Sequence, residues 1–252
     1  MRPAELLAQA GHRPWPLPRS PWVMTQRWHA LLFAHWRVPA RELRQRIPPA
    51  LELDLFEGEA WVGIVPFRMS GVRLRLCPPL PGTSAFPELN VRTYVRSGDR
   101  PGIWFFSLDA ASRLAVRAAR RAFHLPYFDA RMRLEEKAGR IRYSSERTHA
   151  GARAAELALE YGPESGDTFE TAPGTLEHFL TERYRLYAAD RRGRIRAGEI
   201  HHPPWKLQRG CASIATNTMA EAHGIRLEQS APELLHFARL QEVLIWPPRA
   251  VE

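Results

Sequence analysis

Glu88-Leu89-Asn90-Val91-Arg92-Thr93-Tyr94-Val95 alternates without a break. Leu89, Val91, Thr93 and Val95 fall on one side, and Glu88, Asn90, Arg92 and Tyr94 fall on the other. A period of two is the mark of a β-strand with two chemically different faces. The polar face carries an acid, an amide, a guanidinium and a phenol. If the sheet closes on itself, one face of every strand points inward, and these four side chains would line a pocket. If the sheet is open, the same face is a solvated stripe. The alternation alone is compatible with both.

The flanking sequence extends the strand reading. Ile103 to Leu108 is apolar on both faces except Ser107, as a central strand is, and Ser97 to Gly102 supplies a hairpin connection. Upstream, residues 22–38 are rich in Trp, Leu and Phe and read as a first strand. A short helix follows over Ala40 to Arg46, then strands over Leu51 to Phe56 and Ala60 to Met69. The proline-rich stretch 77–87 with Gly82 reads as a loop. Downstream, Ala111, Leu114, Ala115, Ala118, Ala119, Ala122 and Phe123 recur at helical spacing. Asp109 is the expected N-cap and Leu125-Pro126 the stop.

Hairpins are expected around Lys137-Ala138-Gly139 and Asp190 to Gly193, with a strand over Ala155 to Tyr161 between them. A short helix capped by Thr175 is expected over Leu176 to Leu180, and a last strand near Val243 to Trp246. The fold class is therefore mainly β, with a few peripheral helices. Residues 1–21 read as an N-terminal arm, lying on the domain or partly disordered, and 22–252 as a single domain. The arm lacks the apolar centre of a secretory signal.

Composition narrows the function. The formal net charge is +9, yet of 36 cations only Lys137 and Lys206 are lysines, and the arginines are mixed with acids along the chain. No nucleic-acid motif surrounds the densest cluster, Arg191, Arg192, Arg194 and Arg196, so a solvated basic surface is the expectation. Cys77 and Cys211 fit neither a disulfide framework nor a zinc spacing, which points to a reducing, cytoplasmic setting. No 18-residue apolar run suggests a membrane span. There is no Gly-x-Ser-x-Gly elbow, phosphate loop or dinucleotide fingerprint, and no cofactor is expected. His201-His202 is a poor metal site, because neighbours on a strand point to opposite faces.

Several segments together resemble an uncharacterised bacterial family, the YqjF-like proteins (domain of unknown function 2071). They include Leu32-Phe33-Ala34-His35-Trp36, Ala60-Trp61-Val62-Gly63, Phe86 to Val95, Trp104 to Ala110, His124 to Tyr127, Glu182-Arg183-Tyr184 and Ile200 to Trp205. The resemblance implies a fold similar to acetoacetate decarboxylase, an antiparallel cone-shaped barrel with an internal pocket. It also implies a test of mechanism. The decarboxylase forms a Schiff base through a lysine that directly follows a proline after a helix. Here Pro126 matches that proline and Tyr127 takes the lysine position. A phenol cannot form an imine.

The candidate site follows from both lines. Glu88 and Tyr127 are the candidate acid/base pair. Asn90, Arg92, Tyr94, Arg120 and His202 are the candidate ligand contacts, with Arg92 as anchor for a carboxylate. Arg120 has an alternative role at the helix C-terminus, and a hydrogen-bonded structural role is the alternative for His202. Glu88 and Arg92 are four residues apart, about 14 Å along a strand, so they can hold opposite ends of a small ligand but hardly each other. The expected partner is a small anionic molecule. Two function classes stay open: a binding protein, or an acid/base enzyme on a keto or carboxylic acid. A homo-oligomer is compatible with either.

Overall fold

A short helix, α1 (Pro3–Ala8), precedes β1 (Met24–Val38), α2 (Ala40–Arg44), β2 (Glu52–Leu53) and β3 (Ala60–Leu74). Then come β4 (Phe86–Ser97), β5 (Arg100–Ala110), α3 (Arg113–Ala122), β6 (Tyr127–Lys137) and β7 (Arg140–Arg147). The order continues with β8 (Glu156–Pro163), α4 (Leu176–Thr181), β9 (Arg185–Ala189), β10 (Ile195–His201) and β11 (Gln208–Asn217). It ends with β12 (Leu234–Ile245) and β13 (Arg249–Ala250). This computed structural model describes residues 2–79 and 82–251.

The strands among the described residues join into one sheet of thirteen. β12 pairs with β1, with β10 and with β11, so the sheet bends back on itself into a ring-like wall. Most pairings are antiparallel, as expected. β5 is the exception, running parallel to both β6 and β9. A parallel neighbour needs a crossover connection, and α3 is the crossover between β5 and β6.

β4 lies between β3 and β5, and both of its faces are covered. Leu89 and Val91 join Ile64, Val62, Leu32 and Tyr143 in one apolar layer. On the other face, Glu88 lies opposite Phe67, Asn90 opposite Val65 and Arg92 opposite Gly63. That face adjoins a second apolar layer built from Phe33, Phe67, Leu108, Val116, Tyr127 and Trp205. The polar side is no solvated stripe. Glu88 is 2 % exposed, Asn90 5 %, Arg92 7 % and Tyr94 0 %.

The bulge between His29 and Ala34 of β1 decides which side chains meet that face. His29 pairs with Arg68 and Ala34 with Ile64, so β1 spends one more residue than β3 across the interval. Ala30 takes a left-handed φ of 50° there. Because side chains alternate with a period of two, one inserted residue exchanges the faces of everything after it. His35 is thereby placed beside Gly63, in the same row as Arg92.

Several local expectations need correction. Asp109 does not cap α3: Ser112 does, its Oγ accepting from the Ala115 N–H at 3.3 Å. Asp109 is fully buried and accepts twice from Arg147, at 2.7 and 2.9 Å, while Arg147 also donates to Ser107. A buried guanidinium attracts the carboxylate more strongly than a helix end does. The packed face of α3 is also rotated from the expected one: Val116 is buried with Ala115 and Ala119 beside it, and Leu114 is 60 % exposed. The strand over 51–56 shortens to Glu52–Leu53; the Asp54 N–H still donates to the Tyr94 carbonyl at 3.0 Å, and the Asp54 carboxylate pairs with Arg183 at 2.5 Å. β11 has little alternation in sequence and no counterpart among the expected strands; it pairs with β8 through a register shift near Ile214.

The N-terminal segment is tied to the wall. Leu6 is buried with Leu244 and Trp246, and the Leu6 carbonyl lies 2.8 Å from His201 Nε2. Arg13 pairs with Glu199 at 2.9 Å. In the basic hairpin between β9 and β10, Asp190 pairs with both Arg194 and Arg196, which neutralises part of the charge cluster. No helix among the described residues is long and apolar enough to cross a membrane.

Candidate functional site

The polar face of β4 carries two buried hydrogen-bonded groups, one at each end. At the first, the Tyr127 hydroxyl donates to Glu88 Oε2 at 2.8 Å. Tyr127 is brought there because β6 starts beside β5, with Leu108 opposite Tyr127 and Ala110 opposite both Glu88 and Asp129. The Tyr143 hydroxyl supports the strand from behind, donating to the Glu88 backbone carbonyl at 2.7 Å. Burial pushes the Glu88 carboxyl up to about 8; the Tyr127 hydrogen bond opposes the rise and the charge of Asp109 adds to it. Burial likewise drives the Tyr127 phenol well above its ordinary range. At neutral pH this end is a neutral carboxylic acid held by a neutral phenol.

The second group gathers at the C-terminal end of α4. Tyr94 donates to the Leu180 carbonyl at 2.8 Å, and Arg92 Nη2 reaches the same carbonyl at 3.2 Å. His35 Nε2 lies 2.7 Å from the Tyr94 hydroxyl. His35 is completely buried, and burial together with the Arg92 charge lowers its pKa well below the usual range, so the imidazole is neutral. Gly63 makes the cluster possible. A Cβ there would stand 3.1 Å from His35 Nε2 and 3.3 Å from Arg92 Cγ.

The charge on Arg92 is poorly compensated. Its guanidinium sits over the rings of Phe33 and Tyr94, at 5.1 and 5.8 Å, but no carboxylate pairs with it among the described residues. Its Nε has no hydrogen-bond partner. Asn90 Oδ1, His35 Nδ1 and Trp205 Nε1 are buried in the same condition. Native interiors seldom leave such atoms unpaired.

Of the other expected contacts, Arg120 lies apart. It is exposed, and its Nη1 donates to the Tyr127 backbone carbonyl at 2.6 Å, which holds the start of β6 from outside. His202 is buried, but it belongs to a neighbouring group. It stacks on Tyr184 at 4.7 Å, and its Nδ1 is 2.8 Å from the Pro203 carbonyl. Trp205 separates His202 from Phe33, with ring distances of 5.2 and 4.9 Å. His201 turns the other way, towards Leu6. Both lysines are exposed.

The profile of the DUF2071 family, described as an uncharacterized conserved protein, matches residues 25–242. The chain belongs to this family. The uncharacterized protein YqjF of Bacillus subtilis (strain 168) is 47 % identical to it over 233 residues, which cover 92 % of this chain and 94 % of that protein. Acetoacetate decarboxylase from Legionella pneumophila superposes with a TM-score of 0.60 at 13 % identity, over 98 % of this chain and 95 % of that one. The enduracididine biosynthesis enzyme MppR, complexed with pyruvate, gives 0.60 at 13 % identity over 95 % and 93 %. At such identity the likeness is one of fold, and this DUF2071 chain has the fold of the acetoacetate decarboxylase group.

The sequence reading did not include His35, Gly63 or Trp205 among the candidate site residues of this DUF2071 chain. A signal was present for the first: His35 is the one ionisable residue in the run Leu31 to Trp36, inside an otherwise apolar strand. Nothing local indicated that it meets Tyr94, 59 residues away.

Proposed function

We propose that this protein binds a small carboxylate-bearing molecule on the buried polar face of β4, without covalent lysine chemistry. The observation that carries this reading is Arg92, a buried cation that rests on a carbonyl, the Tyr94 hydroxyl and two rings with no carboxylate beside it among the described residues. An uncompensated buried charge costs several kcal/mol, and a ligand carboxylate supplies the missing partner through charge-assisted hydrogen bonds. A protein of the same fold, MppR, is complexed with pyruvate, itself a small carboxylate. Imine chemistry needs a desolvated lysine of lowered pKa; both lysines here are exposed, and Tyr127 stands where the decarboxylase resemblance expects one.

The test is a thermal-shift screen of short mono- and dicarboxylates, followed by calorimetric titration of the best ligand against wild type and Arg92→Gln. Loss of one charged partner of a buried pair costs about 2–5 kcal/mol of binding. Equal affinity in Arg92→Gln removes Arg92 from the site and the proposal with it.

The Glu88–Tyr127 pair favours a second reading, in which the bound acid is also a substrate. A carboxyl poised near 8 is protonated at neutral pH yet titrates close to it, as a general acid/base requires. In this reading Glu88 exchanges a proton with a carbon next to the ligand's carbonyl, and Tyr127 orients it. Incubation of a bound keto acid in D2O, followed by NMR, should show deuterium uptake that Glu88→Gln abolishes. Absence of uptake by wild type leaves a binding protein only.

A further inference from the structure

Phe33 is the centre of a small cluster of unsatisfied groups. Arg92 Cζ lies 5.1 Å from its ring centroid, the Trp205 ring 4.9 Å and the His35 ring 6.1 Å. Each of these three neighbours is buried and carries one nitrogen without a partner: Arg92 Nε, Trp205 Nε1 and His35 Nδ1. The first two are obligate donors. The third is settled by the network behind it. A phenol has one proton, and Tyr94 gives it to the Leu180 carbonyl, which can only accept. The Tyr94 oxygen then accepts from His35 Nε2, so the proton of the neutral ring is on Nε2. Nδ1 is left as a bare lone pair.

The unmet demand around Phe33 is therefore two donors, one of them charged, and one acceptor. A carboxylate alone satisfies the donors and leaves the acceptor bare. A 2-keto acid has only acceptor oxygens, so it brings a second lone pair towards the lone pair of His35. We infer that the ligand carries a hydroxyl beside its carboxylate, as a 2-hydroxy acid does, with the hydroxyl donating to His35 Nδ1 and the carboxylate accepting from Arg92 Nε and Trp205 Nε1. His35 is then the residue that distinguishes hydroxy acids from keto acids. Asn90, whose amide oxygen is also unpaired on this face, is a further acceptor for such a hydroxyl. The inference rests on the Arg92 reading above and adds the chemical class of the ligand.

The experiment compares three acids of equal length, valerate, 2-oxovalerate and 2-hydroxyvalerate, by calorimetric titration of the full chain. The hydroxy acid should bind about tenfold or more tightly than either of the others, the size of one hydrogen bond to an otherwise unsatisfied buried acceptor. His35→Asn places an amide oxygen near the Nδ1 position and should retain the preference. His35→Gln offers no acceptor there and should bring the ratio of hydroxy acid to valerate close to one. Equal binding of all three acids by wild type, or tighter binding of the keto acid, overturns the inference and leaves the carboxylate site standing. No binding of any of them defeats both. The wild-type comparison needs no substituted protein, so a variant that fails to fold does not blunt the test.

Discussion

The neutral Glu88 carboxyl makes a prediction that reaches beyond the site to the stability of the whole chain. Glu88 is 2 % exposed, its hydrogen-bond donor is a phenol, and the buried guanidinium of Arg147 is committed to Asp109. Burial raises its pKa from 4.5 to about 8. With the folded value above the unfolded one, the contribution is fully present below about 4.5 and is lost as the pH rises to about 8. Between those limits the unfolded chain releases a proton that the folded chain keeps, so the folding equilibrium weakens by up to tenfold per pH unit. Over roughly three and a half units this amounts to about 5 kcal/mol, comparable with the total stability of many domains.

Urea unfolding of wild type and Glu88→Gln between pH 5 and 8.5 reads this contribution by difference. The substituted amide still accepts the hydrogen bond from Tyr127 but does not titrate, and other titrating groups cancel between the two proteins. The variant should gain on wild type steadily as the pH rises, and the gap should level off above pH 8. A gap that stays constant across the range means that Glu88 is ionised in the folded protein, which would also remove it as a proton donor.

Three further outcomes follow from the packing. Arg147→Ala leaves the Asp109 carboxylate buried without its partner, and should cost about 3–5 kcal/mol in denaturant unfolding; a loss below about 1 kcal/mol, the range of solvated pairs, would mean that water reaches Asp109. Gly63→Ala pushes a methyl against His35 and Arg92, and should weaken carboxylate binding far more than its overpacking cost of about 1–3 kcal/mol lowers stability. Equal ligand affinity with a lower melting temperature would separate Gly63 from the site. Borohydride treatment with acetoacetate should leave the protein mass unchanged, whereas a reduced adduct on Lys137 or Lys206 would restore imine chemistry.

The positions of most strands and turns were legible in the sequence because their causes are local. Alternation from Glu88 to Val95 marks β4, Ala138-Gly139 turns the β6–β7 hairpin, and Thr175 caps α4 through its hydroxyl. Each depends on residues a few positions apart. The polar face of β4, with Glu88, Asn90, Arg92 and Tyr94, could likewise be named from the alternation, and Tyr127 from the family resemblance. What no local pattern contains is the covering of that face. Glu88 meets Tyr127 across 39 residues, His35 meets Tyr94 across 59, and Trp205 reaches Phe33 from the far end of the chain. The last two depend on the extra residue near Ala30, which turns Phe33 and His35 to the same side as Arg92. The meeting of His35 with Tyr94 depends also on Gly63, whose missing side chain leaves room beside His35. Asp109 shows the same limit from the other side: its sequence position suits a helix cap, but a guanidinium 38 residues away offers the buried carboxylate a stronger partner. Burial and pairing are properties of the closed sheet, and only the closed sheet decides whether a polar stripe is solvated surface or a site.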